Sequence, residues 1–566
     1  MSKILVTSAL PYVNGLPHLG HLVGCLLPSD VYARFMRMMG HEVLYVAGTD
    51  EHGTASEVGA LNEGMEVQAY CDMFHTKHKE TYEAFNLSFD SFGRTSSEQN
   101  KEITYRIFSE LDKNGYIKEQ TTKQVYSIDD KMFLADRYIT GTCPYCGYDK
   151  ARGDQCEKCT KVLEPSQLLN AKSTVSGSSN LEVRDTKNLY IDLPKLQPKL
   201  EEWVKTKEPF WPDVAYSIAQ KWLKEGLEAR AITRDLKWGF PVNKPGFEDK
   251  VFYVWFDAPI GYIGITKEWS DAKPSERDWK DWWLKPKEVR HVEFMGKDNV
   301  PFHSITFPGT LLGTGEPWVQ VDYLKGMSFL TFEGGKFSKS EKRGVFLDSA
   351  LEEFSADYWR YWLMANAPES SDSSFTFDLF TSVVNKDLNG VLGNFVSRVL
   401  KMTASKFGET VPASRDFGDA EKEMLKEVDT HIKEYFKFME AMEFRKALGE
   451  LRAVWVEGNN YIAKTEPWTV VKTDEAKAKA ILNVCINLIR IFAILSYPIM
   501  PTISRKMFDK LKLNLENIPS LKDFDVKKEI TVLKGGEPFD VGDALFDRVS
   551  PERTEELKAK YGSGGE

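Results

Sequence analysis

Apolar residues come in short bursts at the start of the chain. Ile4-Leu5-Val6 is one such run, and Asn14-Gly15 marks a turn after it. Pro17 suits a first helical position, where its missing N–H costs nothing, so the spacing predicts a helix over residues 19–39. A second run, Glu42-Val43-Leu44-Tyr45-Val46-Ala47, closes on Gly48-Thr49-Asp50. Strand, helix, strand is a βαβ unit, and its parallel sheet places ligands at the carboxyl ends of the strands.

The pattern changes over residues 118–225, which hold a cysteine cluster, short strand-like pieces and a Ser/Gly-rich stretch at 173–180. This segment reads as an insertion. Strands are expected again at 250–256 and 289–296, as the second half of the nucleotide-binding fold. A glycine- and lysine-rich loop follows at 333–343. From about 380 to 515 the apolar period is helical. The most apolar stretch, 480–499, contains Asn483, Asn487, Arg490 and Pro498. A bilayer span needs about 18–20 apolar residues with few charges, so a buried core helix is expected here. The tail beyond 555 is expected to be frayed.

With 566 residues, three or four domains are expected. The 34 Phe, 22 Tyr and 14 Trp exclude a disordered chain. No signal-peptide core follows Met1, so the cytoplasm is the default compartment. The net charge of −10 argues against a protein that coats nucleic acid indiscriminately. Local runs are basic, however: Lys336, Lys339, Lys342 and Arg343, then Arg398, Lys401, Lys406 and Arg415, then Arg505, Lys506, Lys510 and Lys512.

Two segments carry candidate phosphate chemistry. His18 and His21 are three residues apart, on one face at a helix N-terminus that attracts anions, and Gly20 lets a flat group approach the backbone. The loop Gly334-Gly335-Lys336-Phe337-Ser338-Lys339-Ser340 is able to close over a phosphate chain and neutralise developing charge. Each alone is equally an ordinary cap or a solvated loop. A third segment is more specific. Cys143 and Cys146, then Cys156 and Cys159, form two C-x₂-C pairs suited to one tetrahedral, structural Zn²⁺, with a redox pair as the alternative.

His18-Leu19-Gly20-His21 and Lys336-Phe337-Ser338-Lys339-Ser340 together resemble the paired signatures of class I aminoacyl-tRNA synthetases, with Leu19 for Ile and Phe337 for Met. Further segments, 9–15, 48–54, 254–262 and 296–303, resemble the methionyl-tRNA synthetase family, and the likeness runs from residue 4 to about 515. It implies an α/β Rossmann-like catalytic domain split by a zinc-knuckle insertion and followed by an α-helical anticodon-binding bundle. The implied divisions are 1–117 and 226–320 for the catalytic halves, 118–225 for the insertion and 321–375 for the stem-contact region. The bundle is 376–540 and the tail 541–566.

The resemblance also implies roles. Leu10, Tyr12, Trp255, Ala258, Pro259, Tyr262 and His303 surround the methionine side chain, and Asp50 holds its ammonium. His18, Gly20, His21, Asp298, Lys336, Ser338 and Lys339 serve ATP, which brings Mg²⁺, and His18, His21, Lys336 and Lys339 are the catalytic set. Asn394, Arg398, Pro467 and Trp468 meet the anticodon of tRNA(Met), initiator and elongator. The implied activity is methionine–tRNA ligation by a monomer with no membrane partner. Leucyl, isoleucyl and valyl relatives carry a larger editing insertion, because burial separates small aliphatic side chains by only about 1–3 kcal/mol. Another class I synthetase, a nucleotidylyltransferase and a catalytically silent RNA-binding relative are the alternatives.

Overall fold

The computed structural model describes residues 2–562 apart from 135, 154–155, 157, 160–162, 336, 338–342, 414–416 and 516–517. Seven strands frame the catalytic half: β1 (Lys3–Ser8), β2 (Glu42–Thr49), β3 (Ser91–Arg94), β4 (Ile117–Ser127), β5 (Leu181–Ile191), β6 (Val289–Gly296) and β7 (Tyr323–Met327). Five of them form one parallel sheet in the order β7-β6-β1-β2-β3. Val6 lies beside Val292 on one side and Tyr45 on the other. β1 is buried from Ile4 to Ser8, as expected of a central parallel strand covered on both faces. The chain leaves β1 for β2 on one side and returns to β6 on the other. That reversal of strand order opens a crevice at the carboxyl ends of β1, β2 and β6.

The helix after β1 is capped by His18, whose ring accepts from the Gly20 N–H at 3.1 Å. Pro17 therefore precedes the cap and is not the first helical residue. The helix runs as one turn, Leu19–His21, a wider π-type turn over Leu22–Leu26, and then α1 (Leu27–Met38). Such wider turns are frequent at functional sites.

The expected strand at 250–256 is only Val251–Phe252, and the chain then becomes helix α2 (Val254–Asp271). A short apolar run fits a buried strand or a buried helix equally, and periodicity does not separate them. Length does: α2 continues for 18 residues and is buried along most of them.

In the insertion, β4 and β5 pair antiparallel from Ile117↔Ile191 to Ser127↔Leu181. A smaller sheet of Ile139–Thr142, Ala151–Arg152 and Leu169–Ser173 carries the cysteines. The C-terminal half is helical: α3 (Asn394–Phe407), α4 (Asp419–Glu440), α5 (Phe444–Thr465), α6 (Glu475–Ser496) and α7 (Pro551–Tyr561). Among the described residues α6 alone is long and apolar enough to cross a membrane, and 94% of that stretch is buried inside the protein. It is the core helix of the bundle.

One apolar core runs without a break from Ile4 through the bundle to Tyr561. At the junction Arg360 is fully buried and bonds Asp30 of α1 at 2.7 Å. It also donates to the carbonyls of Phe85, Pro498 and Ile499 at 2.7–3.1 Å. The residues beyond 555 are not frayed as far as Tyr561. Thr554, Leu557 and Tyr561 are buried, and Lys560 and the Tyr561 hydroxyl both bond Glu353. Docking on a distant carboxylate leaves no short-range signal in the sequence.

Candidate active site

A cavity of about 660 Å³ occupies the crevice. β1 continues past Ser8, so that Asp50 N–H donates to Pro11 O at 2.9 Å and Val13 N–H to Asp50 O at 3.2 Å. This pairing seats Tyr12 beside Asp50. Leu10, Tyr12 and Asp50 all line the cavity. From α2 come Trp255, Ala258, Pro259 and Tyr262, spaced so that they share one helical face. His303 completes the wall from a second π-type turn, Phe302–Thr306. Trp255 meets Tyr12 edge-on at 6.5 Å and stacks on Phe302 at 3.9 Å.

Asp50 is the one carboxylate in this aromatic wall. Burial first, then Asp257 and Glu51, push its carboxyl well above the usual range. Its Oδ1 is buried and has no hydrogen-bond partner. An orphan acceptor of raised pKa is a seat for a cation, because an ammonium there satisfies both the lone pair and the field. The loop carrying it is fixed elsewhere. Arg94 grips Glu51 through Nε at 2.9 Å and Nη2 at 2.8 Å, and Trp238 Nε1 donates to Glu51 O at 2.6 Å. His52 bonds buried Asp257. Gly53, with φ +89°, turns the chain into the next helix.

His18 and His21 line the same cavity, 3.8 Å apart between ring centres. His18 Nδ1 accepts from Gly20 N–H and His21 Nδ1 accepts from His18 N–H at 3.2 Å. Each ring therefore carries its proton on Nε2. Burial, then the neighbouring imidazole, holds His18 well below its usual range, and burial, then His78, brings His21 down to about 4. Both are neutral donors at physiological pH. A Cβ on Gly20 would lie 2.9 Å from the His18 ring, so only glycine fits. Asp298 lines the cavity too, just beyond β6, and its carboxyl is raised by burial. Phe337 stacks on His18 at 4.3 Å, whereas Lys336, Ser338 and Lys339 lie outside the described residues.

The four cysteine sulfurs lie within 4.8 Å of one another, with Cys143–Cys159 at 3.8 Å and Cys146–Cys156 at 3.6 Å. Ligands about 2.3 Å from a tetrahedral centre stand about 3.8 Å apart, so four thiolates in this arrangement fit one metal ion with a closed coordination sphere. In the bundle, Asn394 and Arg398 are exposed one turn apart on α3, and Arg398 sits 5.2 Å over the Trp468 ring. Trp468 is 37% exposed. Pro467 is buried and opens the short helix that presents Trp468.

Sequence reasoning brought together every cavity residue it named among those described. It missed Arg137, which reaches the cavity from the insertion, and the supporting groups Arg94, Trp238 and Asp257. Asp257 and Glu51 lie inside quoted segments, but nothing in those segments says which side chains turn inward.

A parallel sheet with two imidazoles at its switch point, an amino-acid-sized aromatic pocket and an appended helical bundle defines a class I aminoacyl-tRNA synthetase. A family model described as tRNA synthetases class I (M) matches residues 4–400, and one described as the anticodon binding domain of methionyl tRNA ligase matches 411–566. The methionine–tRNA ligase of Streptomyces avermitilis is 51% identical over 100% of both chains. That of Cereibacter sphaeroides is 50% identical over 99% of both. The solved Mycobacterium tuberculosis methionyl-tRNA synthetase in complex with methionyl-adenylate shares the fold, with a TM-score of 0.79, 24% identity and coverage of 97% of this chain and 100% of that one. The chain belongs to the methionyl-tRNA synthetase family.

Proposed function

We infer that the cavity divides the methionine–tRNA ligase reaction among the residues described above. The observation that carries this reading is the orphan Oδ1 of Asp50, beside Tyr12 in a cavity that the aromatic residues and the histidine pair both line. Asp50 takes the ammonium of L-methionine. Leu10, Tyr12, Trp255, Ala258, Pro259, Tyr262 and His303 enclose its polarisable thioether. The carboxylate is thereby aimed at the α-phosphate of ATP, whose oxygens accept from His18 and His21 at the helix N-terminus, with Gly20 beneath the nucleotide and Asp298 at the ribose. In-line attack forms methionyl-adenylate and expels pyrophosphate. Lys336, Ser338 and Lys339 of the loop meet the charge that builds on it, and Mg²⁺, counted as part of the ATP substrate, shares that charge. The adenylate then esterifies the 2′-hydroxyl of the 3′-terminal adenosine of tRNA(Met), and AMP leaves.

Asn394, Arg398 and Trp468 read the unpaired anticodon bases by edge contacts and stacking. Cys143, Cys146, Cys156 and Cys159 hold one structural Zn²⁺. The domain limits are those the sequence suggests, and the enzyme is read as a cytoplasmic monomer.

ATP–pyrophosphate exchange across the amino-acid panel tests the reading. Exchange is expected with methionine. Exchange with leucine or isoleucine but not methionine would sink it. For the knuckle, elemental analysis is expected to give about one zinc per chain. Cys143→Ser should lose that metal and lower the melting temperature, while full zinc retention would remove Cys143 from the ligand set.

A further inference from the structure

Behind the methionine pocket runs a line of buried polar groups, and it ends on an acid with no part in the scheme above. Glu293, on β6, is fully buried. Its Oε1 accepts from the Thr7 hydroxyl at 3.3 Å and stands 3.8 Å from His303 Nε2. Its Oε2 is buried without a hydrogen-bond partner. Tyr262, which lines the pocket, lies within side-chain hydrogen-bond reach of it.

Proton positions in this line follow from the acceptors. His303 Nδ1 faces the carbonyl of Asn299 at 2.9 Å, and a carbonyl only accepts. The proton is therefore on Nδ1. The ring is neutral, because burial brings it down to about 4 despite that carbonyl. His303 Nε2 is then a lone pair, and the Tyr262 hydroxyl 3.0 Å away must donate to it. Tyr262 has one proton, so its oxygen turns only lone pairs towards Glu293. An ionised Glu293 would face lone pairs on both Tyr262 and His303, with no cation to compensate. The groups around it are Thr7 of β1, Tyr262 of α2, His303, and His291 on its own strand. Burial, then His303 and Lys207, drives His291 down to about 3. Cys25 and Asp50 act on Tyr262 from farther off, both with the same sign as a carboxylate.

We propose that Glu293 is a positioning residue: as a neutral acid it locks the Tyr262 hydroxyl onto His303 and so sets the hydrogen-bond polarity of the methionine side-chain pocket. This rests on the reading of that pocket given above. A thioether offers only lone pairs, and a neutral Glu293 sets no charge behind them. Ionising Glu293 places a negative charge behind the pocket wall and pulls the Tyr262 proton off His303, since a carboxylate outcompetes imidazole for it. Methionine then meets a charged floor of acceptors. Burial raises the Glu293 carboxyl to about 8, so the change falls within reach of experiment. Its sign is fixed: affinity for methionine is full below that value and falls as pH rises through it.

The test is the KM for methionine in ATP–pyrophosphate exchange, between roughly pH 7 and pH 9, for the wild-type enzyme and Glu293→Gln. Glutamine accepts from Thr7 and donates to Tyr262, and it does not ionise. The substrate ammonium loses its own proton at the upper end of the range, a limb both proteins share. The readout is therefore the wild-type to variant ratio of KM. Set to one at the lower pH, it should climb about tenfold by the higher, with kcat changing little. A ratio that stays flat overturns the proposal. Should the variant not fold, wild-type protein labelled with ¹³C at the glutamate carboxyls decides: one resonance titrating near pH 8 supports the proposal, and none overturns it. Exchange that does not depend on methionine at any pH would instead overturn the reading of the pocket.

Discussion

Asp50→Asn lowers kcat/KM for methionine in the exchange reaction by about 10²–10⁴-fold, while the Kd for ATP stays within a few-fold. The cause is local. Asp50 is 4% exposed, and its Oδ1 has no partner within the protein. An ammonium bound there exchanges water for a charged hydrogen bond in a low-dielectric pocket. Breaking such a buried pair from one side costs about 3–5 kcal/mol, which is the stated range of rate. Asparagine keeps the shape, but it presents an amide dipole where the substrate needs a charge, and one rotamer turns an N–H towards the ammonium. In the proposed division the nucleotide is held by His18 and His21 and not by Asp50, so it loses no contact. A loss below tenfold would move ammonium recognition to another group.

Arg360→Met destabilises the whole chain by about 3–5 kcal/mol, read as a lowered denaturant midpoint. Arg360 is fully buried, and methionine fills much of its volume without its donors. Three carbonyls, of Phe85, Pro498 and Ile499, then lose a partner together with Asp30. The pH dependence follows from Asp30. Burial alone would raise its carboxyl. Arg34, Arg360 and the two Ser88 hydrogen bonds outweigh burial and hold it at about 2, below the ordinary value of 3.8. A depressed carboxylate contributes stability above its unfolded value and loses it as pH falls through the folded one. The wild-type enzyme therefore sheds on the order of 2 kcal/mol between about pH 4 and pH 2. With Arg360 gone the folded value rises and that loss shrinks. A variant with the wild-type midpoint would show that the junction is carried by apolar packing alone.

Much of this was legible in the chain itself, for a physical reason in each case. Ile4-Leu5-Val6 and residues 44–47 are buried on both faces, so their strands show as continuous apolar runs. Trp255, Ala258, Pro259 and Tyr262 stand out as a set without their helix, because the likeness lies in residue types and not in secondary structure. The helix leaves no mark of its own, since Val251 to Phe256 is apolar on every side. The two wider turns at Leu22–Leu26 and Phe302–Thr306 have no sequence marker. Arg94, Trp238 and Glu293 reach the site from elements far away in sequence, and only the folded chain brings them there.

The docking of α7 has a consequence for how the chain is made. Glu353 ends the helix Leu347–Glu353, yet the Tyr561 hydroxyl that caps it at 2.7 Å is 208 residues downstream. At about 5–20 residues per second, a ribosome takes roughly 10–40 s to make that stretch. Throughout that interval Phe377 lacks the Tyr561 ring that later lies 5.7 Å from it, and Thr381 lacks Thr554. The nascent enzyme thus presents an unfinished apolar edge long after its catalytic sheet has been synthesised, and that edge is a natural point of hold for chaperones until the last helix arrives.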